Sequence, residues 1–130
     1  MSSENFKELD IVIFGASGCV GYSVVEEIAN CNEAAEIKWA IAGRNIKSLR
    51  EVLVTVQDYS GNKSDITNIP IIVADVGNSS SIIEMCKRTK LLLNCVGPYN
   101  EFGGEEIVSA CIECKTHCID LSAEIRVNIF

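Results

Sequence analysis

Apolar and polar positions fall into alternating blocks along this chain. The apolar run "DIVIFG" (Asp10–Gly15) predicts a first buried strand. From about Cys19 to Asn30 the pattern changes to a helical one, with Val20, Val24, Val25, Ile28 and Ala29 on one side. "IKWAIAG" (Ile37–Gly43) predicts a second strand. From Asn45 onward, Leu49, Val52, Leu53 and Val56 make the stripe of a core-facing helix. The polar stretch Asp58–Asn68 carries Gly61 and Asn62 and reads as a loop. "PIIVAD" (Pro70–Asp75) is a third strand; a capping-box spacing at Ser81–Glu84 then opens a helix with Ile82, Met85 and Cys86 inward. "LLLNCV" (Leu91–Val96) and "HCIDL" (His117–Leu121) are strands four and five. The helix between them spans Gly103–Cys114, with Ile107, Ala110, Cys111 and Cys114 on its apolar stripe.

Strands alternating with helices predict one α/β domain over residues 1–130, a doubly wound, Rossmann-like fold with a parallel sheet. Right-handed crossovers are satisfied by the strand order 3-2-1-4-5. In that order strands one and four are neighbours where the winding reverses, and ligands of such sheets bind outside the carboxyl ends of the strands at that point. The segment "GASGCVG" (Gly15–Gly21) then faces the loop "NCVGPYN" (Asn94–Asn100).

Gly15, Gly18 and Gly21 stand between the first strand and the first helix. Gly15 allows a tight strand exit, Gly18 lets the backbone approach a pyrophosphate, and Gly21 lets the helix pack closely on the sheet. Amides at the helix start, those of Cys19 and Val20 among them, would face the anion, with Ser17 as a hydroxyl donor. The bland reading is a tight turn with no ligand; the strand–turn–helix context favours the phosphate site. A P-loop is ruled out, because no Gly-Lys-Ser/Thr follows Gly15.

The end of the second strand bears on the choice of nucleotide. A site for NAD usually places an acid there to accept from the ribose hydroxyls, but this chain reads "AGRN". Arg44 is a planar, permanent cation suited to the 2′-phosphate of NADP, with Lys47 one turn on. NADP is therefore expected over NAD. Asp75, ending strand three, would lie near the adenine or simply lead into the next helix, the second reading being at least as strong as the first. After strand four, Cys95, Val96, Gly97 and Tyr99 would line the ribose and nicotinamide side, Pro98 turning the chain sharply off the sheet. For Tyr99 an ordinary loop role stands level with that one.

Composition narrows the class. The net charge is −7 and no Lys/Arg cluster stands out, which argues against nucleic acid or an anionic membrane surface as partner. The amino terminus lacks an apolar signal core, and no apolar run reaches the roughly 20 residues of a membrane span. Seven cysteines, an odd number, fit a reducing compartment. An intracellular, cytoplasmic protein is expected, so the sequons at Asn62 and Asn78 read as chance.

Two motifs are set aside. Tyr59 and Lys63 have Tyr-x-x-x-Lys spacing, but Gly61 and Asn62 argue against the helix that would join them. Cys111, Cys114, His117 and Cys118 resemble a zinc quartet, yet Cys111 and Cys114 lie on an apolar stripe and read as core, so no metal is expected.

"DIVIFGASGCVG", "WAIAGR", "LLLNCVGPY" and "ACIECKTHCIDLSAE", in this order, resemble the saccharopine dehydrogenase-like oxidoreductases. The resemblance implies a Rossmann cofactor domain for NADP and carries Gly15, Ser17, Gly18, Gly21 and Arg44 over as cofactor residues, with the 94–99 loop nearby. It implies hydride transfer between nicotinamide and a small carbonyl or imine substrate, and an association with lipid droplets in some members. The chain departs at Ser122-Ala123-Glu124, where the family reads Ser-Gly-Glu, and in the tail "IRVNIF". Family members are longer and add a second domain that completes the substrate site. The 130-residue chain alone is therefore expected to turn over no substrate, and to form a homodimer or dissolve poorly. No general acid or base is evident, which keeps open a nucleotide-sensing or binding module without turnover, or a structural remnant.

Overall fold

The computed structural model describes residues 7–60, 65–96 and 104–121. Five parallel strands form one sheet: β1 (Leu9–Phe14), β2 (Trp39–Gly43), β3 (Ile71–Val73), β4 (Thr89–Asn94) and β5 (His117–Asp120). Their order across the sheet is β3-β2-β1-β4-β5, the expected doubly wound order, which right-handed crossovers allow. Among the described residues the crossovers carry the α-helices α1 (Cys19–Asn30), α2 (Ile46–Ser60), α3 (Ser79–Arg88) and α4 (Gly104–Glu113). A short 3₁₀ turn (Asn32–Ala34) precedes β2.

The winding reversal divides the core in two. On one face Ile13, Ile41 and Trp39 pack against Val25 of α1 and Leu49, Leu53 and Val56 of α2. On the other, Val12, Phe14, Ala40 and Leu92 meet Ile82, Met85 and Cys86 of α3 and Ile107, Ala110 and Cys111 of α4. Every residue of β2 is buried, as a strand covered on both faces requires. Register places Phe14 opposite both Ala42 and Asn94, and Asn94 opposite Asp120. The carboxyl ends of β1, β2, β4 and β5 therefore form one rim.

Several boundaries differ from the sequence pattern. α2 runs through Asp58, Tyr59 and Ser60, which the pattern assigned to a loop, because no breaker occurs before Gly61. Tyr59 is 82% exposed on its last turn; Lys63, its supposed partner, lies outside the described residues. α3 starts two residues before Ser81: Asn78 is the N-cap, its side chain accepting from the Ser81 amide at 3.2 Å. The Ser81 hydroxyl instead donates to the carbonyls of Asn78 (2.7 Å) and Asp75 (3.2 Å), an inner bond that a capping-box reading overlooks. β4 begins at Thr89 because α3 ends at Arg88 with no intervening loop, and it ends where the Asn94 side chain accepts from the Val96 amide at 3.1 Å. Val20, placed on the apolar side of α1, is 40% exposed; Gly21 and Val25 are the residues buried there.

Buried Thr116 ties α3, β4 and β5 together on the α3–α4 side. Its hydroxyl lies 2.6 Å from the carbonyl of Cys86 and 3.2 Å from that of Thr89, and it accepts from the Lys7 ammonium at 3.0 Å. Lys7 also donates to the Cys86 carbonyl at 3.1 Å, placing a cation at the carboxyl end of α3 where the helix dipole favours one.

Candidate functional site

The glycine turn is built by its backbone. Gly15 leaves β1 with φ +85°, a conformation that favours glycine, and its amide donates to the Ala42 carbonyl at 2.9 Å. The Gly18 amide donates back to the Gly15 carbonyl at 3.1 Å, and the Tyr22 amide to the Gly18 carbonyl at 2.8 Å, which starts α1. Gly18 is the N-cap, extended at φ −83° and ψ 174°, and it brings no side chain to cap the first-turn amides. α1 has no acid in its first turn. The positive end of its dipole, with those amides, is thus held over the carboxyl rim of the sheet.

The three glycines have different physical reasons. A Cβ on Gly15 would stand 2.8 Å from Val96 Cγ2 and 3.0 Å from the Val96 amide nitrogen. A Cβ on Gly21 would overlap the carbonyl oxygen of Gly15 and lie 2.6 Å from the Cα of Ala16. Both glycines are demanded by packing. At Gly18 a Cβ would meet only the Gly15 carbonyl oxygen, in ordinary contact at 3.5 Å, and φ there is negative. The fold leaves Gly18 free to carry a side chain, and it opens on a cleft.

That cleft, of about 260 Å³, lies across the carboxyl ends of β1, β2, β3 and β4. Gly15, Ser17, Gly18, Arg44, Asp75, Cys95 and Val96 line it, together with Phe14, Gly43, Ala74 and Val76. Cys19 and Val20 lie exposed on the first turn of α1, outside the lining, and Gly21 is buried beneath the turn. Gly97 and Tyr99 lie outside the described residues. Lys47 is exposed on the first turn of α2 and does not reach the lining.

Arg44 occupies the residue between β2 and the helix cap. Asn45 caps α2, its side chain accepting from the Ser48 amide at 3.1 Å, so the chain turns immediately after Arg44. Arg44 is exposed and joins none of the ion pairs among the described residues. Asp75 is held in an Asx turn, Oδ1 accepting from the Gly77 amide at 2.9 Å. Cys95 is buried; burial first, and then the charge of Asp120, push its thiol up to about 11. It stays protonated at neutral pH and contributes shape rather than a nucleophile.

Away from the cleft, the thiols of Cys86 and Cys111 lie 3.7 Å apart in the core. The Cys118 hydrogen bond pulls the Cys111 thiol down, but the Cys86 contact and burial prevail and push it to about 12. Cys118 is raised as well, by its bond to Cys111 and by burial. Cys114 turns its thiol to the Ile83 carbonyl. His117 is exposed at the start of β5. These cysteines serve as small core hydrophobes.

The loop opening at Asn94 was expected at the reversal, whereas Asp120 was not singled out. Asn94 is buried at the end of β4, and Asp120 stands opposite it on β5. A polar residue ending an apolar strand at the carboxyl rim was the available signal.

A parallel sheet in this order, with a glycine turn and a cleft at the winding reversal, defines a Rossmann-type dinucleotide-binding domain. Residues 11–129 match the saccharopine dehydrogenase NADP binding domain family, and the chain belongs to that family. A saccharopine dehydrogenase-like oxidoreductase of Mus musculus is 44% identical over 118 residues, covering 88% of this chain and 27% of the mouse protein. A lipid droplet localized protein of Caenorhabditis elegans is 38% identical over 115 residues, covering 88% of this chain and 26% of the nematode protein. The chain thus spans about a quarter of the length of these relatives. Among solved structures, the apo saccharopine dehydrogenase (L-Glu forming) of Saccharomyces cerevisiae aligns with a TM-score of 0.65 over 92% of this chain and 23% of the yeast chain. At 17% identity that likeness concerns the fold. Among the described residues no helix is long and apolar enough to cross a membrane.

Proposed function

We propose that the cleft binds NADP in preference to NAD, and that the domain serves hydride transfer to a carbonyl or imine in a longer oxidoreductase. The observation that carries this reading is Gly18. Neither its φ nor its packing requires glycine, yet it stands at the mouth of the cleft where a pyrophosphate must approach the backbone. Ser17 and the first-turn amides of α1 supply donors to the phosphates. Arg44, free of ion pairs among the described residues, supplies the cation for the 2′-phosphate. Asp75 closes the adenine side, its Asx turn holding the backbone at the end of β3. When bound, the cofactor supplies the hydride chemistry, and the protein positions it.

Calorimetric titration of the chain with NADPH and NADH tests the preference. NADPH is expected to bind more tightly, and Arg44→Ala to weaken it by roughly tenfold while leaving NADH little changed. Equal affinities in the parent chain would overturn the assignment of Arg44.

None of the described lining residues is poised as a general acid or base: Cys95 is held protonated, and Asp75 is engaged in its turn. This favours cofactor binding without turnover by the 130-residue chain itself. NADPH consumption with a panel of carbonyls and imines is expected to stay at the buffer rate. Turnover that survives purification and vanishes in Gly18→Val would show instead that the chain is a complete enzyme. For the longer protein, the nematode relative's name supports a location at lipid droplets.

A further inference from the structure

We propose that Asp120 is the residue of this domain that receives the nicotinamide half of the dinucleotide, its carboxylate accepting from the ribose hydroxyls or the carboxamide of that half. The inference rests on the cofactor reading above and extends it to a strand outside the cleft lining.

The order of the strands carries it. The pyrophosphate sits at the turn after β1. Arg44 at the end of β2 and Asp75 beyond β3 lie on one side of that turn and take the adenosine half. The other half must then run the opposite way, over the carboxyl ends of β4 and β5. Strands lie about 4.8 Å apart, so the end of β5 stands about 10 Å from the glycine turn, within reach of a nucleotide. On that side the rim is formed by the ends of β4 and β5. β4 contributes buried Asn94, whose side chain is already turned to the Val96 amide, and Cys95, which lines the cleft. β5 contributes Asp120, paired in register with Asn94 and close enough for its charge to act on the Cys95 thiol. Among the described residues, Asp120 is the acid that ends a strand on this side of the turn.

The chemistry fits the position. The nicotinamide half presents hydroxyl and amide donors, for which a carboxylate is a strong acceptor. Its ring is cationic when oxidised and neutral when reduced. A carboxylate at this point therefore favours the oxidised cofactor. Asp120 also has a contact within the protein, so a purely structural role must be separable in the test.

The probes are NADP⁺, NADPH and adenosine 2′,5′-bisphosphate, which lacks the nicotinamide half. Each is titrated calorimetrically into the parent chain and into Asp120→Asn, with Asp120→Ser as a second variant should the first not fold. Asp120→Asn is expected to weaken NADP⁺ by roughly tenfold, NADPH by less, and adenosine 2′,5′-bisphosphate not at all. Equal weakening of all three probes would reduce Asp120 to a support of the fold and overturn the inference. So would unchanged NADP⁺ affinity in a variant whose parent binds the bisphosphate. Failure of the underlying site is distinguishable, because the parent would then bind none of the three.

Discussion

Gly18→Val abolishes cofactor binding and leaves the fold intact: this is the expected result of the sharpest test of the site. The backbone at Gly18 is extended, at φ −83° and ψ 174°, a region that valine favours. A Cβ there meets the Gly15 carbonyl oxygen at 3.5 Å, without overlap. The cost to stability is the poorer N-cap, at most about 1 kcal/mol, a few degrees in melting temperature. Binding is another matter. The branched side chain projects where the pyrophosphate must meet the first-turn amides of α1, and it lengthens the hydrogen bonds that hold the anion. NADPH affinity should fall by roughly a hundredfold or more. Calorimetry and a thermal melt on the same sample check both halves. A folded variant that binds like the parent would reduce the turn to a structural feature.

Gly21→Ala should instead strike at the fold and destabilise it severely. Its single added carbon would overlap the Gly15 carbonyl oxygen and lie 2.6 Å from the Cα of Ala16 and 2.8 Å from the Gly15 carbonyl carbon. These are backbone atoms of the turn itself, held by the Gly15 and Ala16 amides bonding to Ala42. They have no rotamer by which to yield. Relief requires α1 to lift from the sheet, which opens the core around Val25 and Ile13. The expected loss exceeds about 4 kcal/mol, against a total of about 5–15 kcal/mol for a domain of this kind. Urea titration followed by far-ultraviolet circular dichroism measures it. A variant as stable as the parent would mean that α1 packs less closely than the structure shows. Together the two substitutions separate a glycine kept for the ligand from one kept for the helix.

Much of this was legible in the chain itself. Apolar periodicity placed the strands and α-helices of the described residues, and α1 to the residue, because a helix and a covered strand each impose their own spacing on apolar side chains. The order β3-β2-β1-β4-β5, one that right-handed crossovers allow, was the one expected and is the one observed, and it sets the glycine turn at the reversal. The place of Arg44 was legible too, as the residue directly after β2, and the structure sets it in the lining of the cleft. What only the tertiary structure decided concerns neighbours distant in sequence. The strand–turn–helix context already suggested different roles for the three glycines, but the atoms that enforce them are tertiary: Gly15 is constrained by Val96 and Gly21 by Gly15, whereas Gly18 meets no such limit. Cys86 and Cys111 share a core pocket through the packing of α3 on α4. Asp120 stands opposite Asn94 through a register set by the whole sheet. The physical reason is the same throughout: periodicity records which way a side chain points relative to its own helix or strand, while what it meets there depends on elements brought together across the chain.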